Sequence, residues 1–480
     1  MDTYDVVVIG GGPAGENAAQ YAIKGSDRTA VIVEAELLGG ECSYWACMPS
    51  KALLRPVEAL DGGHALPGVA QALTGDLDVA SVLERRDGFT HNHDDSGQVE
   101  WAGEHGIEVA RGRGRLVGAK TVEVTGPGGD ARTLRARRAV VIATGTTAFI
   151  PPVAGLREAK PWTSREVTNL REVPDRVAVI GGGVVACEAT TWLTGLGSRE
   201  VTLIEPESRL LAHLEPFAGE LMAEQLGPRG ARLLLGTAVE TVHRAGVEDR
   251  GVGRIRGGAA TVTAGGSTFE VDEIVVAAGR TPATADLGLD SVGVRPGGHG
   301  YLDADDHMAV SGADQWLYAV GDVCGRALLT HMGKYQGRIA GDVIAARAEG
   351  RSIDAPRYRD AADHGIVPAV VFAEPQVASV GLTESQAREA GVDVQALEYD
   401  LGAIAGARLL RDDFAGRAKL VVDRDTDVLI GATFVAPDVA ELLHAATIAI
   451  AGKVPLDTLW HAVPSYPTVS EIWLRLLESR

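Results

Sequence analysis

The chain has 480 residues, enough for about three domains, and its 45 Lys and Arg against 65 Asp and Glu leave a formal net charge of −20. That acidity excludes a sequence-independent nucleic-acid binder, which needs cationic surface, and four cysteines are too few for a disulfide scaffold of this size. No apolar run approaches the ~20 residues that span a bilayer and MDTYDVVVIGGG is not a basic leader, so a cytoplasmic protein is expected, with neither nucleic acid nor membrane as partner.

Along the chain, Asp5-Val-Val-Val-Ile is a strand-length apolar run that leads into Gly10-x-Gly12-x-x-Gly15 and an Ala-rich helical stretch. Gly10 permits a tight turn, Gly12 lets backbone approach a pyrophosphate, and Gly15 allows close helix–strand packing. A second strand ends in Glu34, where a carboxylate can accept both hydroxyls of an adenosine ribose. Next come Cys42 and Cys47, with Pro49 after them, which predicts thiols at the start of a helix whose N-terminus favours thiolate. Zinc and a buried thiol pair are the alternatives, but zinc would need four ligands, and Cys187 and Cys324 lie in unrelated segments. A redox-active pair is preferred.

Residues 72–101 read as helical, and the segments around Gly106-Ile-Glu-Val and Thr121-Val-Glu-Val read as a small meander. Pro151-Pro152 marks a linker into a second strand–turn–helix–strand unit, Arg176 to Glu205, with Gly181-x-Gly183-x-x-Ala186 as its turn. Glu205 is its ribose acid and would repel a 2′-phosphate, which favours NADH over NADPH. Arg209 reads as a solvated loop residue. The later part carries strands at Ala369-Val-Val-Phe and Ala418-Lys-Leu-Val-Val, with helices around 439–451 and from Pro467 to the end. The cluster His91-Asn-His93-Asp94-Asp95 has ligand chemistry but no supporting residue elsewhere, so no metal site is assigned.

Two dinucleotide folds and Gly39-Gly-x-Cys42-x4-Cys47-x-Pro49-Ser-Lys51 resemble the flavoprotein disulfide reductases, which include dihydrolipoamide dehydrogenase, glutathione reductase and mercuric reductase. The likeness covers nearly the whole chain, through Thr144-Gly145, Gly279-Arg280, Gly321-Asp322 and the run Val380 to Glu384. It implies an α/β protein with two Rossmann-like domains and a C-terminal α+β dimerisation domain. The expected divisions are 1–155 and 276–350 for FAD, 156–275 for NAD(P), and 351–480 for the interface of a homodimer. FAD would use Gly10, Gly12, Gly15, Glu34, Thr144, Gly145, Gly279, Arg280, Gly321 and Asp322. NADH would use Gly181, Gly183 and Glu205. Lys51 and Glu188 would lie near the flavin on its nicotinamide side, Cys47 would be the flavin-proximal thiol, and Cys42 would exchange with substrate.

The departures carry information. The family usually has His-Pro-Thr-x-x-Glu near its C-terminus, whose His–Glu pair is acid–base for the exchanging thiol; here Tyr466 precedes Pro467 and Glu471 keeps the acid. Tyrosine, with a reference pKa of ~10, is a poor base at neutral pH. His461 could stand in only if turned inward. Tyr466 and Trp45 are similar to soluble pyridine nucleotide transhydrogenases, which usually lack the second cysteine. Mercuric reductase is argued against by the absence of a C-terminal cysteine pair. The expected activity passes electrons from NADH through FAD and the Cys42/Cys47 disulfide to a small-molecule or protein-linked disulfide. The alternative is a transhydrogenase, diaphorase or quinone reductase that uses the flavin directly.

Overall fold

A computed structural model of the protein describes all residues from Met1 to Arg480. The chain divides into two compact units. One comprises Met1–Met48, Asp87–Thr147 and Arg280–His364; the other comprises Pro49–Arg86, Ala148–Gly279 and Gly365–Arg480.

The first unit is built on β1 (Asp2–Ile9), whose Val6, Val7 and Val8 are fully buried, as a central strand covered on both faces requires. β1 pairs in parallel with β2 (Ala30–Glu34), and the crossover between them is α1 (Pro13–Ile23). With β3 (Ile107–Arg111), β4 (Arg113–Gly118), β5 (Thr121–Thr125) and β6 (Ala131–Ile142), the sheet runs β3-β2-β1-β6-β5-β4, and the strand Leu317–Ala319 adds to β6 in parallel. The expected meander is therefore β4-β5-β6. Ile107–Arg111 instead pairs in parallel with β2, Ala30 opposite Ile107 and Glu34 opposite Arg111, because its buried Ile107 and Ala110 complete the faces of the dinucleotide sheet.

The stretch 72–101, expected to be helical, holds two helices, Val79–Phe89 and Ser96–Glu104. His91, Asn92 and His93 between them all have positive φ. The break has a tertiary cause: Asp95 Oδ2 accepts from the Leu38 amide at 2.6 Å and from Arg111 at 2.5 Å, which pulls this turn onto the end of β2.

The second unit contains a parallel sheet of β7 (Arg176–Ile180), β8 (Glu200–Glu205), β9 (Ala231–Leu235) and β10 (Glu273–Val276), in the order β9-β8-β7-β10. The helix Val184–Gly195 crosses from β7 to β8 and is buried from Ala186 to Leu193. The same unit carries a five-stranded antiparallel sheet of β11 (Pro368–Val371), β12 (Gln376–Gly381), β13 (Val394–Asp400), β14 (Arg417–Asp423) and β15 (Val428–Ala436), ordered β11-β12-β15-β14-β13. The expected C-terminal helices are shorter than read: Leu443–Ala451 follows a tight 3₁₀ turn, and Ile472–Glu478 follows another. No helix is long and apolar enough to cross a membrane.

Candidate active site

The two glycine turns have one geometry. Gly10 and Gly181 sit at φ +105° and +118°, and a Cβ on either would collide with a carbonyl of the neighbouring strand end, Ala143 or Ala277. Gly15 is equally closed by the Gly10 carbonyl, whereas Gly12 and Gly183 face open space. A turn closed everywhere except at its middle leaves that position for a phosphate to approach, in front of the amides that open α1 and the helix Val184–Gly195.

The acids are fixed by the same turns. Glu34 accepts from the amides of Gly11 and Glu36, both at 2.7 Å, and Glu205 accepts from the Glu207 amide at 2.8 Å. Gly11 and Gly182 belong to this arrangement although the fingerprint leaves them unspecified. A Cβ at Gly182 would lie 2.7 Å from the Glu205 carboxylate. Burial pushes the Glu34 carboxyl up, against those two amide bonds. Arg209 is not solvated. Its guanidinium donates to the carbonyls of Leu214 and Ala212 at 3.0 and 2.5 Å, which commits it to shaping the loop.

Around the first turn, several expected residues form one chain of hydrogen bonds. Asp322 Oδ2 accepts from the Thr146 hydroxyl at 2.9 Å, Thr146 accepts in turn from Arg280 Nε at 2.9 Å, and Arg280 reaches Glu41 at 3.2 Å. Burial raises the Asp322 carboxyl, while Thr146 and Arg280 oppose it. Gly321 has φ +77° and donates its amide to Gln336 at 2.9 Å. The Thr144 hydroxyl donates to the Ala283 carbonyl at 2.9 Å, and the Ala283 amide donates to the Gly145 carbonyl at 3.0 Å. Gly279 has φ +122°. Thr146 and Glu41 had no motif to announce them.

Glu41 is next to Cys42 on the short helix α2 (Gly40–Tyr44), and Cys47 is the first residue of α3 (Cys47–His64), with Pro49 in its opening turn. Both cysteines are half-buried. A hydrogen bond with Cys47, then burial, pushes the Cys42 thiol well above the ordinary cysteine range. The Cys47 sulfur lies 3.3 Å from the hydroxyl of Thr330, which opens α4 (Thr330–Ala348). Trp45 stacks on His93 with ring centroids 4.3 Å apart. Beside them opens a cavity of about 640 Å³, lined among others by Tyr44, Met48, Phe89, His91, Asn92 and Gln98. No group of three or more His, Cys, Asp or Glu residues could hold a metal ion.

In the second unit, Lys51 Nζ contacts both oxygens of Glu188 at 2.8 and 3.0 Å, and Glu188 also accepts from the Phe372 amide at 2.9 Å. Tyr466 and Glu471 are not joined. Tyr466 is 74% exposed. Glu471 is buried, with Oε1 on Arg475 at 2.6 Å and Oε2 without a partner. His461 is exposed, not turned inward.

Two family models match this chain: pyridine nucleotide-disulphide oxidoreductase over residues 4–347, and the dimerisation domain of the same proteins over 367–476. A dihydrolipoyl dehydrogenase of Chlorobaculum tepidum is 32% identical over 472 residues, 98% of this chain and 95% of that protein. A mercuric reductase of Staphylococcus aureus is 31% identical over 470 residues, 98% of this chain and 81% of that protein. Among solved structures, the Cu(II) complex of the HOCl-induced flavoprotein disulfide reductase RclA from Escherichia coli superposes with a TM-score of 0.84 at 24% identity, covering 100% of this chain and 99% of that one. At that identity the likeness is one of fold.

Proposed function

The chain belongs to the pyridine nucleotide-disulphide oxidoreductases, FAD-dependent enzymes that draw electrons from NAD(P)H, and from that premise we propose that it reduces a disulfide at the expense of NADH, as a homodimer. The observation that carries the reading is the thiol pair itself: Cys42 and Cys47 hydrogen-bond each other in the unit that holds the first dinucleotide turn. Glu41, Arg280, Thr146 and Asp322 link α2 by hydrogen bonds to the turn at Gly321-Asp322 in the same unit.

FAD, when bound, supplies the step between a hydride donor and a dithiol. The chain's own residues do the rest. Gly12 would leave room for the pyrophosphate, Glu34 would hold the adenosine ribose and Asp322 the ribityl chain. Lys51, neutralised by Glu188, stands one turn along α3 from Cys47. In the dithiol, the hydrogen bond with Cys47 and burial hold the proton on Cys42. Cys42, once ionised, attacks the substrate disulfide, forms a mixed disulfide and expels one thiolate. Cys47 then attacks the Cys42 sulfur, which releases the second thiolate and restores the Cys42–Cys47 disulfide. Each turnover consumes NADH, a proton and one disulfide and yields NAD+ and two thiols. The cavity beside α2 supports entry of the acceptor on that side.

Tyr466 favours a second reading, in which electrons pass from the flavin directly to a quinone, a dye or another nicotinamide, because no histidine stands before Pro467. Anaerobic titration with NADH separates the two. Uptake of two reducing equivalents beyond the flavin, with a long-wavelength thiolate-to-flavin band that Cys47→Ser removes and Cys42→Ser retains, supports the disulfide route. Reduction of flavin alone refutes it.

A further inference from the structure

The turn that carries Asp322 leaves the sheet at a defined residue. The Val320 amide still donates to the Ile142 carbonyl of β6 at 3.0 Å, and the next residue, Gly321, swings to φ +77°. Its N–H is buried and past the last strand bond, so it needs another acceptor, since a buried donor left unsatisfied is costly. The side chain of Gln336 on α4 supplies one, with Oε1 at 2.9 Å. Backbone packing leaves the turn little room. A Cβ at Gly321 would lie 3.1 Å from the Ala14 Cβ on α1, and one at Gly333 would lie 3.3 Å from the Gly321 Cα, so the turn is held between α1 and α4.

A backbone N–H can only donate, which fixes the Gln336 amide: Oε1 faces Gly321, and Nε2 is left to donate elsewhere. It donates to Asp360 Oδ2 at 3.0 Å, and both side chains are buried. The same Asp360 oxygen lies 3.5 Å from Nη1 of Arg326, two residues beyond the end of the turn. Asp360 is placed in its turn by backbone, its amide donating to the Asp306 carbonyl at 2.8 Å. One carboxylate therefore gathers the start of the turn through Gln336 and the chain just past its end through Arg326. All of these residues belong to the first unit.

We propose that Gln336, oriented by Asp360, is a positioning residue for FAD: it holds the Gly321 amide so that Asp322 is in place for the ribityl chain before the cofactor arrives. The proposal rests on the reading of Asp322 as the ribityl ligand. Without that hold the turn relaxes, and FAD binding must then include the cost of ordering it, which lowers affinity by the fraction of molecules already in the competent conformation. Gln336 acts only through Gly321 and Asp322.

Two isosteric swaps test the pair at constant side-chain size. Gln336→Glu keeps an acceptor for Gly321 but sets a second carboxylate against Asp360. Asp360→Asn keeps an oxygen that can accept from Gln336. Combined, they restore one donor and one acceptor across the contact, with the direction of the hydrogen bond reversed. The quantity measured is the FAD dissociation constant, from the flavin fluorescence of serially diluted holoenzyme at pH 8. FAD binding should weaken about tenfold or more in Gln336→Glu and stay within about threefold of wild type in Asp360→Asn and in the double variant. Wild-type affinity in Gln336→Glu overturns the proposal. So does a double variant no tighter than Gln336→Glu, because the loss is then not one of hydrogen-bond pairing. If Gln336→Glu does not fold, the double variant decides: FAD held as in Asp360→Asn supports the pairing, and FAD held less tightly overturns it. Asp322→Ala tests the premise. Wild-type affinity there overturns the reading of Asp322 and the proposal together, whereas weak binding there with normal binding in Gln336→Glu overturns the proposal alone.

Discussion

Tyr466 is the single residue on which the chemistry turns. General acid–base help at an exchanging thiol is worth ~100–10,000-fold in rate, and a phenol cannot supply the base half near neutral pH. Turnover with lipoamide or glutathione disulfide should therefore be slow at pH 7 and rise toward alkaline pH, while reduction of quinones or dyes stays comparatively strong. Tyr466→His should raise disulfide turnover at pH 7 by about tenfold or more, because the buried Glu471 Oε2 lacks a partner and could orient an imidazole. Steady-state rates that do not move would mean that Arg475 holds Glu471 too firmly, or that exchange has its base elsewhere. Glu205 makes a second residue-scale claim. With both terminal nitrogens on backbone carbonyls, Arg209 is held away from a 2′-phosphate. NADH should reduce the flavin faster than NADPH, and Glu205→Gln should narrow the preference by about tenfold, the equivalent of ~1.4 kcal/mol. A wild-type preference for NADPH in stopped-flow reduction would contradict this.

Among the elements, α1 carries a titration that can be read as stability. Burial raises the Glu16 carboxyl to about 7, so the folded state binds its proton more tightly than the unfolded chain does. Stability from that source is fully present below the ordinary value near 4.5 and is lost as pH rises through 7. Glu16→Gln should thus match wild type at pH 4.5 and exceed it increasingly up to pH 7, by at most about 3 kcal/mol. Thermal midpoints of the two proteins that run parallel from pH 5 to 8 would refute the assignment. Elements of this kind were legible in the sequence because a βαβ unit is local: the strand, the glycine turn and the ribose acid all fall within about thirty residues. Ile107–Arg111 was misread because a short amphipathic strand says nothing about which strand it pairs with. The break at His91–His93 was missed because its cause, the hold of Asp95 on Leu38 and Arg111, joins segments far apart in the chain. Thr146 and Thr330 were invisible for the same reason, since each acts through a neighbour more than a hundred residues away.

At the scale of the whole molecule, the C-terminal domain carries the strongest expectation. Within the stretch that matches a dimerisation domain, Ile448, Trp460, Val463 and Tyr466 are 57%, 50%, 83% and 74% exposed. Isolated exposed apolar side chains are ordinary, but three within seven residues are the kind of surface that association covers. Tyr466 belongs to that stretch, so the surface that should bind a second copy also carries the residue standing at the family's acid–base position. On the proposed function, a homodimer should be required for disulfide exchange and not for flavin reduction, because both glycine turns and the Cys42–Cys47 pair come from one chain. Val463→Asp puts a carboxylate into the apolar contact, a desolvation cost of several kcal/mol unless it finds a cation. Sedimentation at micromolar concentration should show the wild type as a dimer and the variant as a monomer. Disulfide turnover should fall at least about tenfold in the variant, with NADH-dependent dye reduction largely kept. If the variant remains dimeric, this stretch is not the contact; if it is monomeric yet fully active on disulfides, the exchange site is built by one chain alone and Tyr466 has no part in it.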